Sequence, residues 1–247
     1  MSRHERPLEG VSAHFEIPPV LAGGDLEILG LMPNSSNYTL LARATGEGTE
    51  ALAIYKPRRG ETPLWDFPEG TLCRREVAAF VVARALGWPR VPPTVLRGGP
   101  EGEGSVQLFV EFEPQQHYFT LLDARAEEFR RVALFDLIVN NADRKAGHCL
   151  LGADGIVYLI DHGVCFSADP KLRTVIWDFI GEPVDAGARA DIERLTRELT
   201  GGGVHDELAA LLDHEELAAL AERVREVAAL QAFPERGPGR PYPWPVV

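Results

Sequence analysis

NNADRKAGHCLL (140–151) and, beyond the turn GADG, VYLIDHGVCF (157–166) decide how the rest of this chain is read. The first stretch follows EEFRRVALFDLIVNN, in which Phe129, Val132, Phe135 and Val139 recur at helical spacing. Asp143 therefore stands in a polar loop just past a helix, His148 opens a short strand, and Asp161 closes the next one. Pairing across the GADG turn sets residue 151 against about 156, which brings His148 near Leu159–Asp161. One hairpin thus directs Asp143, His148 and Asp161 toward a common point. Two carboxylates with a third polar group suit a divalent metal that holds phosphates, with one acid left to accept a hydroxyl proton.

The residues before this region supply what such a site needs. LEILGL (26–31), YTLLARA (38–44) and ALAIY (51–55) read as strands, the third ending at Lys56-Pro57. Lys56 is placed to neutralise phosphates, and Glu76 on the following helix to pair with it and fix its rotamer. The loop Pro33-Asn34-Ser35-Ser36-Asn37 offers hydroxyls, amides and backbone N–H groups to a phosphate chain. The helix runs from Leu72 to Leu86, with Thr71 as its N-cap and Gly87 and Pro89 as its stop. VPPTVL and VQLFVEF add two strands across a Gly-rich turn. The expectation is an α+β, bilobal kinase-like chain: an N-lobe over residues 1–112, a small antiparallel sheet with one helix, and a mainly helical C-lobe over 113–247. Helices are expected at roughly 187–200 and 205–231, and the tail PERGPGRPYPWPVV is expected to be extended.

Length and charge narrow the class further. The 247 residues are 45% hydrophobic and 25% charged, an ordinary globular composition. A formal charge of −12 opposes binding to nucleic acid and to anionic membrane surfaces. No apolar run approaches the ~20 residues of a membrane span. MSRHERPLEG has none of the character of a signal peptide, and Cys73, Cys149 and Cys165 cannot all pair, so a reducing cytoplasm is expected. P-loop, Rossmann and H-E-x-x-H signatures are absent. His148, Cys149, His162 and Cys165 invite a zinc reading, but His148 and Cys149 are neighbours on a strand and point to opposite faces.

NNADRKAGHCLL with VYLIDHGVCF resembles the catalytic and metal-binding segments of phosphatidylinositol 3- and 4-kinases, especially the type II 4-kinases. Up to about residue 185 the chain resembles an actinobacterial family described as phosphatidylinositol 3- and 4-kinase-like, notably in YKPRRGETPLWDFPEGTLCRREVAAF and KLRTVIWDFIGEP. The resemblance implies an atypical protein/lipid-kinase-like fold. Asp143 would be the catalytic acid/base, Asp161 the metal ligand and Lys56 the phosphate-binding lysine. A hinge against adenine would lie along Val110, Phe112 and Glu113. Lys145, two residues after Asp143, matches the protein-kinase lysine that meets the transferred phosphate, and Arg144 between them joins the catalytic group. His148 stands where kinases carry asparagine. Neutral imidazole is a poorer Mg²⁺ ligand than an amide oxygen, so the site prefers Mn²⁺, or holds one metal through Asp161, or is weak.

The function expected is therefore an ATP-dependent phosphotransferase using Mg²⁺ or Mn²⁺ on a soluble protein or small polar acceptor. Transfer of AMP, a nucleotide-binding pseudokinase module and a phosphoinositide kinase are the alternatives. The last is disfavoured by the charge, although Arg58, Arg59, Arg74 and Arg75 offer a local basic patch.

Overall fold

The computed structural model describes residues 13–33 and 37–247. Its N-lobe is a five-stranded sheet made of β1 (Asp25–Leu31), β2 (Leu40–Gly46), β3 (Thr49–Pro57), β4 (Thr94–Gly99) and β5 (Gly102–Leu108). The spatial order is β1-β2-β3-β5-β4, and every neighbouring pair is antiparallel. Burial alternates along the end of β3, so Ala53 and Tyr55 enter a small core with Leu21, Leu40 and Val106. That alternation turns Lys56 to the opposite face. A short helix not expected from the sequence, α1 (Pro19–Gly23), closes this small core with Leu21. The strand expected to continue through Phe112 stops at Leu108, and the chain leaves the sheet there to cross to the C-lobe.

Helix α2 (Leu72–Leu86) has the expected ends. Gly87 stops it in the left-handed region at φ 82°, where a side chain would be strained. Thr71 occupies the N-cap position, but its hydroxyl donates to Pro68 O at 2.7 Å and caps nothing. The cap comes from Glu61, whose two carboxylate oxygens accept from Leu72 N (3.1 Å) and Cys73 N (2.8 Å). A carboxylate satisfies two orphan N–H groups and meets the positive end of the helix, which a hydroxyl cannot match.

The C-lobe begins with α3 (Tyr118–Leu121) and α4 (Ala126–Val139). Phe129, Val132, Phe135 and Val139 are all buried as their spacing required. The main core spans both lobes, with Phe80 and Val82 of α2 in one cluster with Phe129 and Phe135. The hairpin forms from β6 (Cys149–Leu151) and β7 (Val157–Leu159), with Leu151 opposite Val157. His148 is the last residue of a 3₁₀ turn before β6 rather than its first strand residue. Helix α5 (Ala186–Glu198) follows, and the single helix expected at 205–231 is two: α6 (Gly203–Ala209) and α7 (His214–Ala229). Asp213 causes the break. Its carboxylate accepts from Glu216 N at 2.9 Å while Glu216 accepts from Asp213 N at 3.2 Å, a capping box that starts a new helix. No helix among the described residues is long and apolar enough to cross a membrane.

Candidate active site

Lys56, Glu76, Asp143 and Asp161 come from four separate elements and line one pocket between the lobes, with Asn37 and Gly163. Lys56 Nζ donates to Glu76 Oε1 and, at 2.9 Å, to Asp161 Oδ1. The other oxygen of Glu76 accepts from His162 N at 2.9 Å, so α2 is tied both to β3 and to the turn that carries Asp161. Asp161 itself sits at φ 62°, a conformation uncommon outside glycine, asparagine and aspartate. Burial works against the Lys56 charge, but Asp161 and then Glu76 outweigh it and hold the ammonium above the ordinary lysine value. The Lys56 ammonium in turn holds Asp161 well below the usual carboxylate range, against the opposing effect of burial.

Asp143 is presented by a loop that is welded in place. Its N–H donates to Asn141 Oδ1 at 2.9 Å, and Lys145 Nζ lies 3.0 Å from its carboxylate. Burial raises the Asp143 carboxyl, the Lys145 ammonium opposes this, and Asp161 adds to the rise. A half-buried carboxylate beside a lysine is suited to take a proton from a hydroxyl.

Arg144 is not part of the catalytic surface as expected. Its side chain is fully buried, with Nε 3.1 Å from Asp136 Oδ1, one Nη donating to Ile160 O at 3.1 Å and the other 2.7 Å from His162 Nε2. Burial drives His162 well below its ordinary value, with Arg144 adding to the effect, so its neutral ring accepts from Arg144. Asp136 also accepts from Asn141 Nδ2 and Thr174 Oγ1. Sequence reading missed Asp136. Its signal was an acid inside the apolar stripe of α4, which has to find a buried cation.

His148 differs from its expected role too. Its Nε2 lies 3.3 Å from Asp161 Oδ2, while Nδ1 accepts from Lys145 N at 3.4 Å. Burial lowers the imidazole to about 4 against the pull of Asp161, so it is neutral at pH 7. With the Nδ1 lone pair turned to a backbone N–H, the ring hydrogen sits on Nε2 and faces Asp161. His148 therefore braces Asp161 instead of presenting a second lone pair to a metal. No group of three His, Cys, Asp or Glu among the described residues is arranged to hold a metal. Asp161 fits a Mg²⁺ or Mn²⁺ ion whose other ligands are phosphate oxygens and water, the usual way such ions bind nucleotides.

The remaining expected residues divide. Asn37 lines the pocket, and its Oδ1 accepts from Thr62 N at 2.9 Å. Ser35 and Ser36 lie outside the described residues. Val110, Phe112 and Glu113 form the crossing between the lobes, where Phe112 bridges Gly152 and Glu113 N donates to Leu151 O at 2.9 Å. None of the three lines the pocket around Lys56. The basic patch is dispersed: Arg75 is buried against Glu216, Arg59 pairs with Glu101, and Arg74 lies 3.6 Å from Glu103. The stretch Trp65-Asp66-Phe67 reaches the C-lobe through Lys171, whose Nζ lies 3.1 Å from Asp66 Oδ2.

Comparison with known proteins agrees with this architecture. No family model matches the chain. It is 37% identical to Protein Rv2133c of Mycobacterium tuberculosis, across 92% of this chain and 94% of that protein. Two plant proteins, each described as phosphatidylinositol 4-kinase gamma 4, match over smaller portions. The one from Oryza sativa is 34% identical over 47% of this chain and 24% of its own length. The one from Arabidopsis thaliana is 26% identical over 53% and 28%. Among solved structures, the Helicobacter pylori proinflammatory kinase CtkA superimposes with a TM-score of 0.54 over 85% of this chain and 93% of its own, at 11% identity. The fold is kinase-like.

Proposed function

The chain belongs to the family of the mycobacterial protein Rv2133c, and we propose that it is an ATP-dependent phosphotransferase acting on a soluble protein or small polar acceptor. The observation that carries this reading is the meeting of Lys56 with Glu76 and Asp161 in a pocket that Asp143 also lines. Lys56 neutralises phosphate oxygens while Glu76 keeps its ammonium in the pocket. Asp143 takes the proton of the acceptor hydroxyl as its oxygen bonds to the γ-phosphorus. The bond from that phosphorus to the β,γ-bridging oxygen breaks, and ADP leaves with the electron pair. Asp161 would hold the Mg²⁺ or Mn²⁺ ion, which supplies charge neutralisation at the phosphates. Positioning and electrostatics then provide most of the acceleration.

The experiment uses ATP labelled at the γ or the α phosphate, with Mg²⁺ or Mn²⁺, host lysate and an Asp161→Asn control. Transfer of γ label that the variant loses supports the reading. Transfer of α label replaces it with AMP transfer, and nucleotide binding without transfer replaces it with a pseudokinase. A second reading, phosphoinositide phosphorylation, is favoured by the similarity to the two plant proteins. Vesicles containing phosphatidylinositol, added as an acceptor arm, decide between the two.

A further inference from the structure

Backbone pairing holds Arg173 beside Asp143. Arg173 N donates to Asn141 O at 2.8 Å, Arg144 N to Arg173 O at 3.0 Å, and Val175 N to Arg144 O at 3.1 Å. These bonds make a parallel bridge with Arg144 opposite Thr174. Residues opposite each other in such a bridge turn their side chains to one face, and the residues just before them turn to the other. Arg144 and Thr174 follow the rule: Nε of the first and Oγ1 of the second both reach Asp136, at 3.1 and 3.0 Å. Asp143 turns the other way, into the pocket with Lys56 and Asp161. The register therefore sends Arg173 to the face that carries Asp143. The electrostatics agree, since burial is the main influence raising the Asp143 carboxyl and Arg173 joins Lys145 in opposing it.

A second observation concerns what the neighbouring cations are bound to. Lys56 is shared by Glu76 and Asp161, and Lys145 is paired with Asp143. Lys171, two residues before Arg173, has an Asp66 oxygen 3.1 Å away. Among the described residues Arg173 has neither an ion pair nor a side-chain hydrogen bond, although it is half-buried. Its backbone is fixed on both sides while its guanidinium lacks an anion. That planar fork matches the oxygens of a phosphoryl group better than an ammonium does.

We propose that Arg173 is a further catalytic residue, whose guanidinium donates to the non-bridging oxygens of the γ-phosphoryl group during its transfer. The inference rests on the phosphotransferase reading and adds to it the residue that stabilises the moving group. The acceptor oxygen bonds to the γ-phosphorus and gives its proton to Asp143. The bond to the β,γ-bridging oxygen breaks, and ADP leaves with the electron pair. Until the proton arrives, the Asp143 charge repels the phosphoryl oxygens beside it. Arg173 offsets that repulsion where it is greatest.

The test uses Arg173→Ala and Arg173→Lys in the full chain, with Mg²⁺ and γ-labelled ATP and no added acceptor. Water then takes the acceptor's place, so no loss can come from acceptor binding. ADP affinity is measured with and without aluminium fluoride, a mimic of the phosphoryl group in flight. In both variants kcat for ATP hydrolysis is expected to fall by about 10²-fold, with KM for ATP and affinity for ADP unchanged. The unmodified chain should bind ADP about 10²-fold more tightly when aluminium fluoride is present, and Arg173→Ala should lose that gain. Millimolar guanidinium should restore hydrolysis to Arg173→Ala, which a structural role would not allow. The proposal is overturned if either variant hydrolyses ATP as fast as the unmodified chain, or if Arg173→Ala keeps the aluminium fluoride gain. A loss of rate that consists wholly of a shifted acid limb also overturns it, because Arg173 then acts only on Asp143. If the unmodified chain neither hydrolyses ATP nor responds to aluminium fluoride, the phosphotransferase reading falls first and this inference with it.

Discussion

Lys56 and Asp161 stand 105 positions apart in the chain and meet with the ammonium 2.9 Å from a carboxylate oxygen. The contact joins the sheet of one lobe to the turn after β7 in the other, and Glu76 holds the same ammonium from α2. On the phosphotransferase reading proposed above, bound phosphates would take Lys56 as their partner and Asp161 would be free to hold a cation. Asp161→Asn keeps the shape but removes the charge that would hold the ion. Transfer of γ-phosphate is expected to fall by about 10²-fold or more, with Lys56 still held by Glu76 and the melting temperature within a few degrees of the unmodified chain. Parallel rate and thermal-melting measurements check this, and a variant retaining full activity would remove Asp161 from the site.

Arg144 and Asp136 are both fully buried, so neither is screened by water. Arg144→Met leaves the Asp136 charge stranded and is expected to cost about 3–5 kcal/mol in urea unfolding. The double variant Arg144→Met/Asp136→Leu should recover part of that loss, because no buried charge remains. It should not recover activity, since Asn141 and Thr174, which fix the Asp143 loop, lose their acceptor.

This pair also marks the limit of what the chain discloses before folding. Helix α2 was legible to the residue because Gly87 punctuates it, and Lys56 and Asp161 were legible because strand ends and turns deliver them. Arg144 was not. ADRKAG reads as one solvated polar loop, and nothing local says that the middle charge turns inward while Asp143 and Lys145 turn out. The role of His148 was hidden for a similar reason, since which ring nitrogen is free depends on a backbone N–H three residues earlier. Glu61 as the cap of α2 required a contact 11 residues away, which a reading of adjacent residues assigns to Thr71.

Lys145 tempers the proton affinity of its neighbour. Burial raises the Asp143 carboxyl and the Lys145 ammonium, 3.0 Å away, opposes that rise. Lys145→Met removes the opposition, so Asp143 should hold its proton to a higher pH. In the proposed reaction the base form of Asp143 is the active one, so the acid limb of kcat/KM should move upward by roughly one pH unit. Rates measured from pH 4 to 9 test the sign: a limb that moves downward or stays in place would show that Asp143 is not the group titrating.

All three thiols are buried, and burial is the main reason each resists ionisation. Cys73 and Cys149 are both pushed up to about 12, and Cys165 lies well above its ordinary value. At pH 8 the thiolate fraction is therefore far below that of an exposed cysteine. Treatment of the folded protein with a disulfide reagent at pH 8 should label none of the three within minutes, and guanidinium should release all three together. Rapid labelling of one thiol in the folded chain would place it at the surface.

Tyr118 supplies an alkaline counterpart. Its ring is buried and its hydroxyl donates to Asp178; burial first, and that carboxylate second, raise it above the ordinary tyrosine value. The folded protein thus keeps this proton where an unfolded chain, titrating near ~10, gives it up. A raised folded value means that the contribution is intact below pH ~10 and is lost as the pH climbs toward the folded value. Tyr118→Phe removes the hydroxyl and strands the acceptor, at a cost of about 1–2 kcal/mol at pH 7. The gap between the two proteins in urea unfolding should be the same at pH 7 and 9 and should narrow at pH 10.5 and above. A gap that widened there would mean that Tyr118 ionises more readily in the folded state than in the unfolded one.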